Sequence, residues 1–349
     1  MGILYYVYYQ QNIAFQAQCA LDGTPKEDCS LLGKIVNDFR NANYWWIAAV
    51  MLAFTLSNWS RAVRWNMLIR ELGYKPRTRN AFFAVMISYL TNLWLSRAGE
   101  VVRAGSLARY EGIPTAKVMG TVIVDRILDV ICLLVIVAGG FVLEFNTFSD
   151  YLRNNAQIDT SSVTNKWPYL VVALVLTTIG IVFYKLRDRF RHTKFYTKGR
   201  DLTMHIWEGF KTVKYVENPL YFILHTANIW LMYFLMTYLC FKAYAPTEQL
   251  GALPALTVFV FGTFGMVIPS PGGMGTYHAL VIAALAIYGI NKIDAFSYAN
   301  IIFFSIQVGC SLIMGIASVI LLPIMNRGYV PAPAGKAVVP ENVFDEILD

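Results

Sequence analysis

The sequence predicts an all-α, polytopic helical membrane protein with about six to eight apolar segments, two of them re-entrant or broken. Three observations carry this prediction. Of the 349 residues, 56% are hydrophobic and 15% charged, whereas a soluble domain carries about 25% charged residues. That composition excludes a disordered chain, a collagen-like fibre and an ordinary cytosolic enzyme. The apolar residues gather in runs of membrane-span length or somewhat less, and the cations fall between them. The basic excess of +7 would hint at nucleic acid in a soluble protein. Here it orients the spans, so no nucleic-acid partner is expected.

Taken in order, apolar segments lie at 44–59, 81–95, 118–143, 167–184, 220–241, 251–268, 277–290 and 296–325. A spanning helix needs about 20 apolar residues, which 118–143, 167–184, 220–241 and 296–325 meet or approach. Segment 44–59 is short but can continue as a helix through Trp65. Segments 81–95 and 277–290 fall short of a span, and 251–268 is borderline. The opening MGILYYVYY is apolar and aromatic with no basic flank. It reads either as the last turns of a span that begins earlier or as an interfacial aromatic anchor.

Cations set the orientation. Arg61, Arg64, Arg70, Lys75, Arg77 and Arg79 make 61–79 a basic loop, and nine Lys and Arg crowd 185–214. The stretch 145–166 has only Arg153 and Lys166. The positive-inside rule then places 61–79, 185–214 and the C-terminus in the cytoplasm, with 10–43 and 145–166 outside. Both 61–79 and 103–117 are basic, so 81–95 must enter and return from the cytoplasmic side. Segments 251–268 and 277–290 either cross as a pair or form a hairpin entering from outside. The domain expectation is one integral membrane unit over 1–325 and a loosely ordered cytoplasmic tail over 326–349. Within 185–214, Leu202, Ile206, Trp207, Phe210 and Val213 share one face of a helix opposite lysines and arginines. That pattern fits an amphipathic helix on an anionic inner leaflet, or a plain solvated connector.

Of the five cysteines, Cys132, Cys240 and Cys310 sit in apolar segments and read as packing. Cys19 and Cys29 share the outer loop, where a disulfide and two free thiols are both open readings. His192, His205, His225 and His278 are scattered, and no spacing suggests a zinc site, a nucleophile elbow or a phosphate loop. No metal or cofactor is expected.

Three constellations carry chemistry. In SRAGEVVRAGSLARYEG (96–112), Arg97, Glu100 and Arg103 recur at i, i+3 and i+6, sharing a helix face. They form either a pocket in which arginine holds a phosphate and Glu100 orients it, or interfacial charges reaching for headgroups. In VIVDRILDVICLL (122–134), Asp125, Arg126 and Asp129 sit near the start of an apolar helix. Ionised groups at membrane depth cost about 2.5–3.5 kcal/mol or more each, so they are expected to complete a network rather than stand alone. In VIPSPGGMGTYHALV (267–281), Pro269 and Pro271 break a helix, while Gly272, Gly273 and Gly275 free the backbone before a new helix at Thr276. That break is either a loop between spans or a cradle of amides for a phosphate or carboxylate.

RAVRW (61–65), NLWLSRAGEVVR (92–103), VDRILD (124–129) and PSPGGMGTYH (269–278), in this order, resemble the flippase-like membrane family that includes the transmembrane region of bacterial lysylphosphatidylglycerol synthases. The resemblance runs from about 44 to 325. Two departures are Ser96, where a proline is expected nearby, and Asp125, where the family often has Glu. The resemblance implies a bacterial cytoplasmic-membrane domain with two re-entrant segments that moves charged or lipid-linked headgroups. Membrane lipids with anionic or phosphate-bearing headgroups are the implied partners. Its binding residues would be Arg97, Glu100, Arg103, Asp125, Arg126, Asp129, Pro269, Pro271, Gly272, Gly273, Gly275, Thr276 and His278, supported by Arg64, Trp65 and Asn92. Residues 326–349 alone follow the last apolar segment, so the soluble synthase domain, and with it lysyl transfer, is not expected here. The alternative is a membrane-embedded transferase on a lipid-phosphate carrier, for which Asp125 and Asp129 would be the one intramembrane carboxylate pair. The mechanistic expectation is that 81–103 and 251–290 dip from opposite faces and meet around one headgroup site.

Overall fold

A computed structural model describes residues 2–21, 30–95, 98–145, 147, 216–268, 270, 273–333 and 335. The expected span 167–184 and the basic stretch 185–214 lie outside the described residues, as does nearly all of 145–166. Among the described residues the protein is all-α and without strands. The helices are α1 (Gly2–Leu21), α2 (Leu31–Asn41), α3 (Tyr44–Arg70), α4 (Thr78–Trp94), α5 (Gly99–Glu111), α6 (Thr115–Leu143), α7 (Pro219–Ala243), α8 (Ala252–Val267), α9 (Thr276–Ile287), α10 (Lys292–Phe304) and α11 (Ile313–Met325). A π-helical stretch, Ser305–Leu312, joins α10 to α11 without a break.

Three of these elements are long and apolar enough to cross a membrane: α6, α7 and the continuous Lys292–Met325 unit. At 1.5 Å per residue, α3 with its 27 residues runs about 40 Å, also longer than the roughly 30 Å hydrocarbon layer. Antiparallel packing of α3 on α7 forms the spine. The Asn43 amide donates to Ala243 O at 2.9 Å at one end. The Glu217 amide donates to Glu71 Oε1 at 2.9 Å at the other.

Against this spine stand two helical hairpins. In the α4–α5 hairpin, Asn80 Nδ2 and the Arg77 amide both donate to Glu111 Oε1, at 2.6 and 3.0 Å, which ties the open ends together. At its tip the Gly99 amide donates to Asn92 Oδ1 at 2.9 Å. Any side chain at Gly99 would collide with Ser88 O and with the Asn92 amide group, so only glycine permits the turn. In the α8–α9 hairpin, Tyr288 Oη donates to Thr257 Oγ1 at 2.8 Å near the open end, and Thr276 Oγ1 donates to Gly265 O at 2.7 Å near the tip.

The hairpins open at opposite ends of α3. The base of α4–α5 lies beside the end of α3, where Asn66 Nδ2 donates to Thr78 Oγ1 at 3.2 Å. The base of α8–α9 follows directly on the end of α7, which pairs with the start of α3. Their tips therefore point toward each other. Helix α11 braces the first hairpin, with Gly315 letting Leu90 approach to 2.6 Å of where a Cβ would stand.

Three sequence expectations need correction. The loop 10–43 holds the second half of α1 and all of α2, the latter because Ser30 caps it by accepting the Gly33 amide at 3.1 Å and Leu31 and Ile35 bury one face. The loop 61–79 shrinks to 71–77, because α3 continues to Arg70. Acidic residues of α6 neutralise Arg61 and Arg64, so the helix carries them into the interior. The tail from Arg327 is tied down at its start. Arg77 stacks 3.4 Å above the Tyr329 ring, Tyr329 Oη donates to Glu111 Oε2 at 2.9 Å, and the Gly335 amide donates to Gly73 O at 2.8 Å.

Candidate functional site

The centre of the molecule holds a two-layered charge cluster. Its inner layer is Arg64 of α3, Arg103 of α5 and Asp125 of α6, all essentially inaccessible to solvent. Arg64 Nε and Nη2 donate to Asp125 Oδ1 at 3.1 and 2.5 Å. Arg103 Nη1 donates to Asp125 Oδ2 at 3.0 Å, and its guanidinium lies 3.9 Å over the Trp65 ring. Trp65 Nε1 in turn donates to Thr121 Oγ1 at 2.9 Å. Burying a charge is tolerable only with such pairing. The cluster thereby pins α3, α5 and α6 to one another.

The outer layer faces a cavity of about 520 Å³. Arg61 Nη1 donates to Asp129 Oδ2 at 2.7 Å and to Asp125 Oδ2 at 3.3 Å, and its Nη2 donates to Tyr233 Oη at 3.0 Å. Arg64 Nη2 also reaches Asp129 Oδ1 at 2.6 Å. Every carboxylate oxygen of Asp125 and Asp129 is therefore engaged by arginine. Both carboxylates are thus neutralised by arginine. Among the described residues no group of three or more His, Cys, Asp and Glu is arranged to hold a metal ion.

Arg126 is held more loosely, 3.2 Å from Glu100 Oε1 and 3.6 Å from Asp129 Oδ2. Its side chain is 38% exposed and its Nε has no partner among the described residues. Among the described residues the cluster holds four arginines (61, 64, 103, 126) against three carboxylates (Glu100, Asp125, Asp129). These seven groups carry one excess positive charge, and the loosely held Arg126 lines the cavity.

The walls come from both hairpins. Tyr89, Asn92, Leu93 and Glu100 contribute from α4–α5, and Gly262, Thr263, Met266, Ser270, Gly273 and Tyr277 from α8–α9 and its tip. Gly262 and Gly265 let α9 sit against α8, since Cβ atoms there would meet the Tyr277 ring at 2.8 Å and Tyr277 Cα at 2.6 Å. Thr276 Oγ1 lies 3.0 Å from Ser270 Oγ, which closes the break on itself. The rim between α6 and the α8 tip is apolar, with Val130, Met266, Val267 and Ile268 substantially exposed.

Of the sequence-derived site residues, the structure brings Glu100, Arg103, Asp125, Arg126 and Asp129 into one cluster with Arg64 and Trp65, and Asn92 into the cavity wall. Gly273, Gly275 and Thr276 form the opposite tip, Gly273 and Gly275 with φ of 77° and 87°. His278 points away from the cavity and packs 4.8 Å from the Phe303 ring centroid, beside Tyr277 and Phe296. Arg97, Pro269, Pro271 and Gly272 lie outside the described residues. Cys19 is disulfide-bonded, and Cys29 lies outside the described residues. Cys132, Cys240 and Cys310 are free thiols.

Two contributions escape sequence reasoning. Cation counting places Arg61 in a loop, although its spacing of three from Arg64 on one continuous helix pairs it with Asp125 and Asp129. Gln307 and Ser311 enter the cavity from the π-helical stretch, a distortion that often marks functional sites and that no residue pattern announces.

The family model described as the lysylphosphatidylglycerol synthase TM region matches residues 30–315. A UPF0104 membrane protein of Methanocaldococcus jannaschii is 30% identical over 127 residues, covering 35% of this chain and 38% of that protein. The match thus spans well under half the length of that relative. No solved structure matches the chain.

Proposed function

Because the chain belongs to the lysylphosphatidylglycerol synthase transmembrane-region family, a family of integral membrane domains, we propose that it moves a phosphate-bearing lipid headgroup across the cytoplasmic membrane. The carrying observation is the cavity between two oppositely opening hairpins, walled on one side by a cluster whose described members carry one excess positive charge. An unpaired anion in hydrocarbon is prohibitively costly, so a headgroup in transit needs donors along its path. Arg126, with the hydroxyls of Tyr89 and Tyr233, supplies them at the cavity face. A phosphodiester carries the single negative charge that offsets the excess. The apolar rim of Val130, Met266, Val267 and Ile268 suits acyl chains that stay in the bilayer while the headgroup occupies the cavity.

In this reading α4–α5 is a re-entrant hairpin entering from the cytoplasm and α8–α9 its counterpart from outside. Their helices, of 17, 13, 16 and 12 residues, are about 18–26 Å long, too short to cross comfortably. The inner layer of Arg64, Arg103 and Asp125 acts as a fixed anchor that holds α5 and α6 while the tips open alternately.

Proteoliposomes containing a headgroup-adjacent, dye-labelled phosphatidylglycerol test the proposal. Wild-type protein should carry inner-leaflet dye to where a membrane-impermeant reductant bleaches it, above the rate of protein-free vesicles. Orientation is tested separately with single cysteines at Leu32 and Val330, both exposed. A membrane-impermeant thiol reagent should label position 32 from outside and position 330 only after permeabilisation. The reverse pattern would overturn the assigned faces.

A further inference from the structure

We propose that Glu100 is a resident counter-anion: it pairs with Arg126 before the headgroup enters and is displaced from it by the headgroup phosphate. This rests on the headgroup reading above and adds the group against which the substrate competes.

The geometry separates Arg126 from the other three arginines. Arg61, Arg64 and Arg103 each contact aspartate at 3.3 Å or less and are almost wholly buried. Arg126 is shared between two carboxylates at 3.2 and 3.6 Å, both long for charge-assisted hydrogen bonds, which run about 2.7–2.9 Å. Neither contact uses the two-pronged guanidinium face. All four arginines have an unpartnered nitrogen among the described residues, so what sets Arg126 apart is the length of its ion pairs and its 38% exposure. Glu100 is as poorly matched, since its Oε1 meets Arg126 at that long distance and its Oε2 is buried with no hydrogen-bond partner among the described residues. Two under-coordinated ions therefore face each other in the cavity wall. A phosphodiester offers paired oxygens that fit a guanidinium fork, which a single Glu100 oxygen does not.

The displaced carboxylate also has somewhere to go. Glu100 is the second residue of α5, after Gly99, whose amide is already committed to Asn92. A carboxylate in the first turn of a helix is favoured by the exposed amides and the dipole there. Leaving Arg126 thus does not strand the charge. The groups facing this exchange are Arg126 and Asp129 of α6, Arg61 of α3, Tyr89 of α4 and Tyr233 of α7. Of these, Arg61 is held by Asp129, Asp125 and Tyr233 and stays in place.

The test is equilibrium binding to the purified full chain in detergent, with dihexanoyl-phosphatidylglycerol and inorganic phosphate as separate probes. Removing a competitor should strengthen binding, so Glu100→Gln should tighten the lipid probe about two- to fivefold, the range for a partly exposed ion pair. Arg126→Gln should weaken it, and the double variant should bind like Arg126→Gln alone, because Glu100 acts only through Arg126. If Glu100→Gln does not fold, Glu100→Asp, one methylene shorter, should tighten binding in the same direction. Unchanged or weaker binding by a folded Glu100 variant, with wild type binding normally, overturns the counter-anion role and leaves the headgroup reading standing. Tightening for inorganic phosphate but not for the lipid overturns the headgroup as competitor. Absence of lipid binding in wild type and all variants overturns the headgroup reading itself.

Discussion

Replacing Asp125 by asparagine (Asp125→Asn) removes the charge that three arginines share while leaving the side-chain volume almost unchanged. In the wild type its Oδ1 accepts two donors from Arg64 at 3.1 and 2.5 Å, and its Oδ2 accepts Arg103 at 3.0 Å and Arg61 at 3.3 Å. The substituted amide keeps one acceptor oxygen and turns the other position into a donor that faces arginine N–H groups. The excess charge of the described cluster rises from one to two, and the lost charge lies in its buried layer. Breaking a buried ion pair in this way costs about 3–5 kcal/mol, or some two to three and a half orders of magnitude in the folding equilibrium. Tryptophan fluorescence during SDS titration in mixed micelles reads the change. Adding Arg103→Met restores the charge balance and should recover part of the loss. Stability of Asp125→Asn within about 0.5 kcal/mol of wild type, or strictly additive losses in the double variant, would refute the idea that the cluster is a coupled unit.

Three further outcomes are expected. Burial holds the Glu71 carboxyl above its usual range, with the nearby Glu217 carboxylate adding to the rise and the hydrogen bond from the Glu217 amide opposing it. A raised acid contributes stability that is full below its unfolded pKa of about 4.3 and is lost as pH climbs through the folded value. Glu71→Gln should therefore raise the unfolding temperature at pH 7, with the gain vanishing below about pH 4; a gain that persists in acid would contradict this. Lys34 bridges Asp38 at 2.8 Å and Asp294 at 2.9 Å, tying α2 to α10, so Lys34→Met should cost up to about 1 kcal/mol and speed hydrogen exchange in α2. Gly265→Val drives a Cβ into the α9 backbone and should lose about 1–3 kcal/mol, whereas Gly139→Ala, with open space around it, should be neutral or mildly stabilising; equal effects would mean that the α8–α9 approach is not tight.

Much of the architecture is legible because apolar length and charge position are strong signals in a membrane chain. Basic 61–79 and basic 103–117 around a short apolar segment argue that 81–95 enters and returns. In the structure that stretch is one unbroken helix, α4, and α5 makes the turn back, their open ends tied by Asn80, Arg77 and Glu111. The Asp125–Arg126–Asp129 triplet is legible as a network because lone ions inside apolar helices are too costly. Its partners are only half legible. Cation counting puts both Arg61 and Arg64 in a loop, and only the resemblance marks Arg64 as a supporting residue; neither signal shows that α3 carries both to Asp125 and Asp129. Nearness in sequence to the PSPGG break draws His278 into the expected site, yet the helical turn after Thr276 rotates it into the Phe296–Phe303 aromatics. The order in the first residues after Arg327 is hidden because it depends on Tyr329 meeting Arg77 and Glu111, contacts across more than two hundred residues that no local pattern encodes.

A headgroup path through the cavity is tested by the rate at which dye-labelled phosphatidylglycerol crosses proteoliposome bilayers with wild-type protein and with Arg126→Gln. Arg126 is partly exposed and loosely paired, so its loss should leave unfolding within about 1 kcal/mol of wild type. Wild type should accelerate crossing well above protein-free vesicles, and the folded Arg126→Gln protein should fall back to that baseline. Equal rates for the two proteins, or a wild-type rate no faster than empty vesicles, would contradict a headgroup path through the cavity between the hairpins.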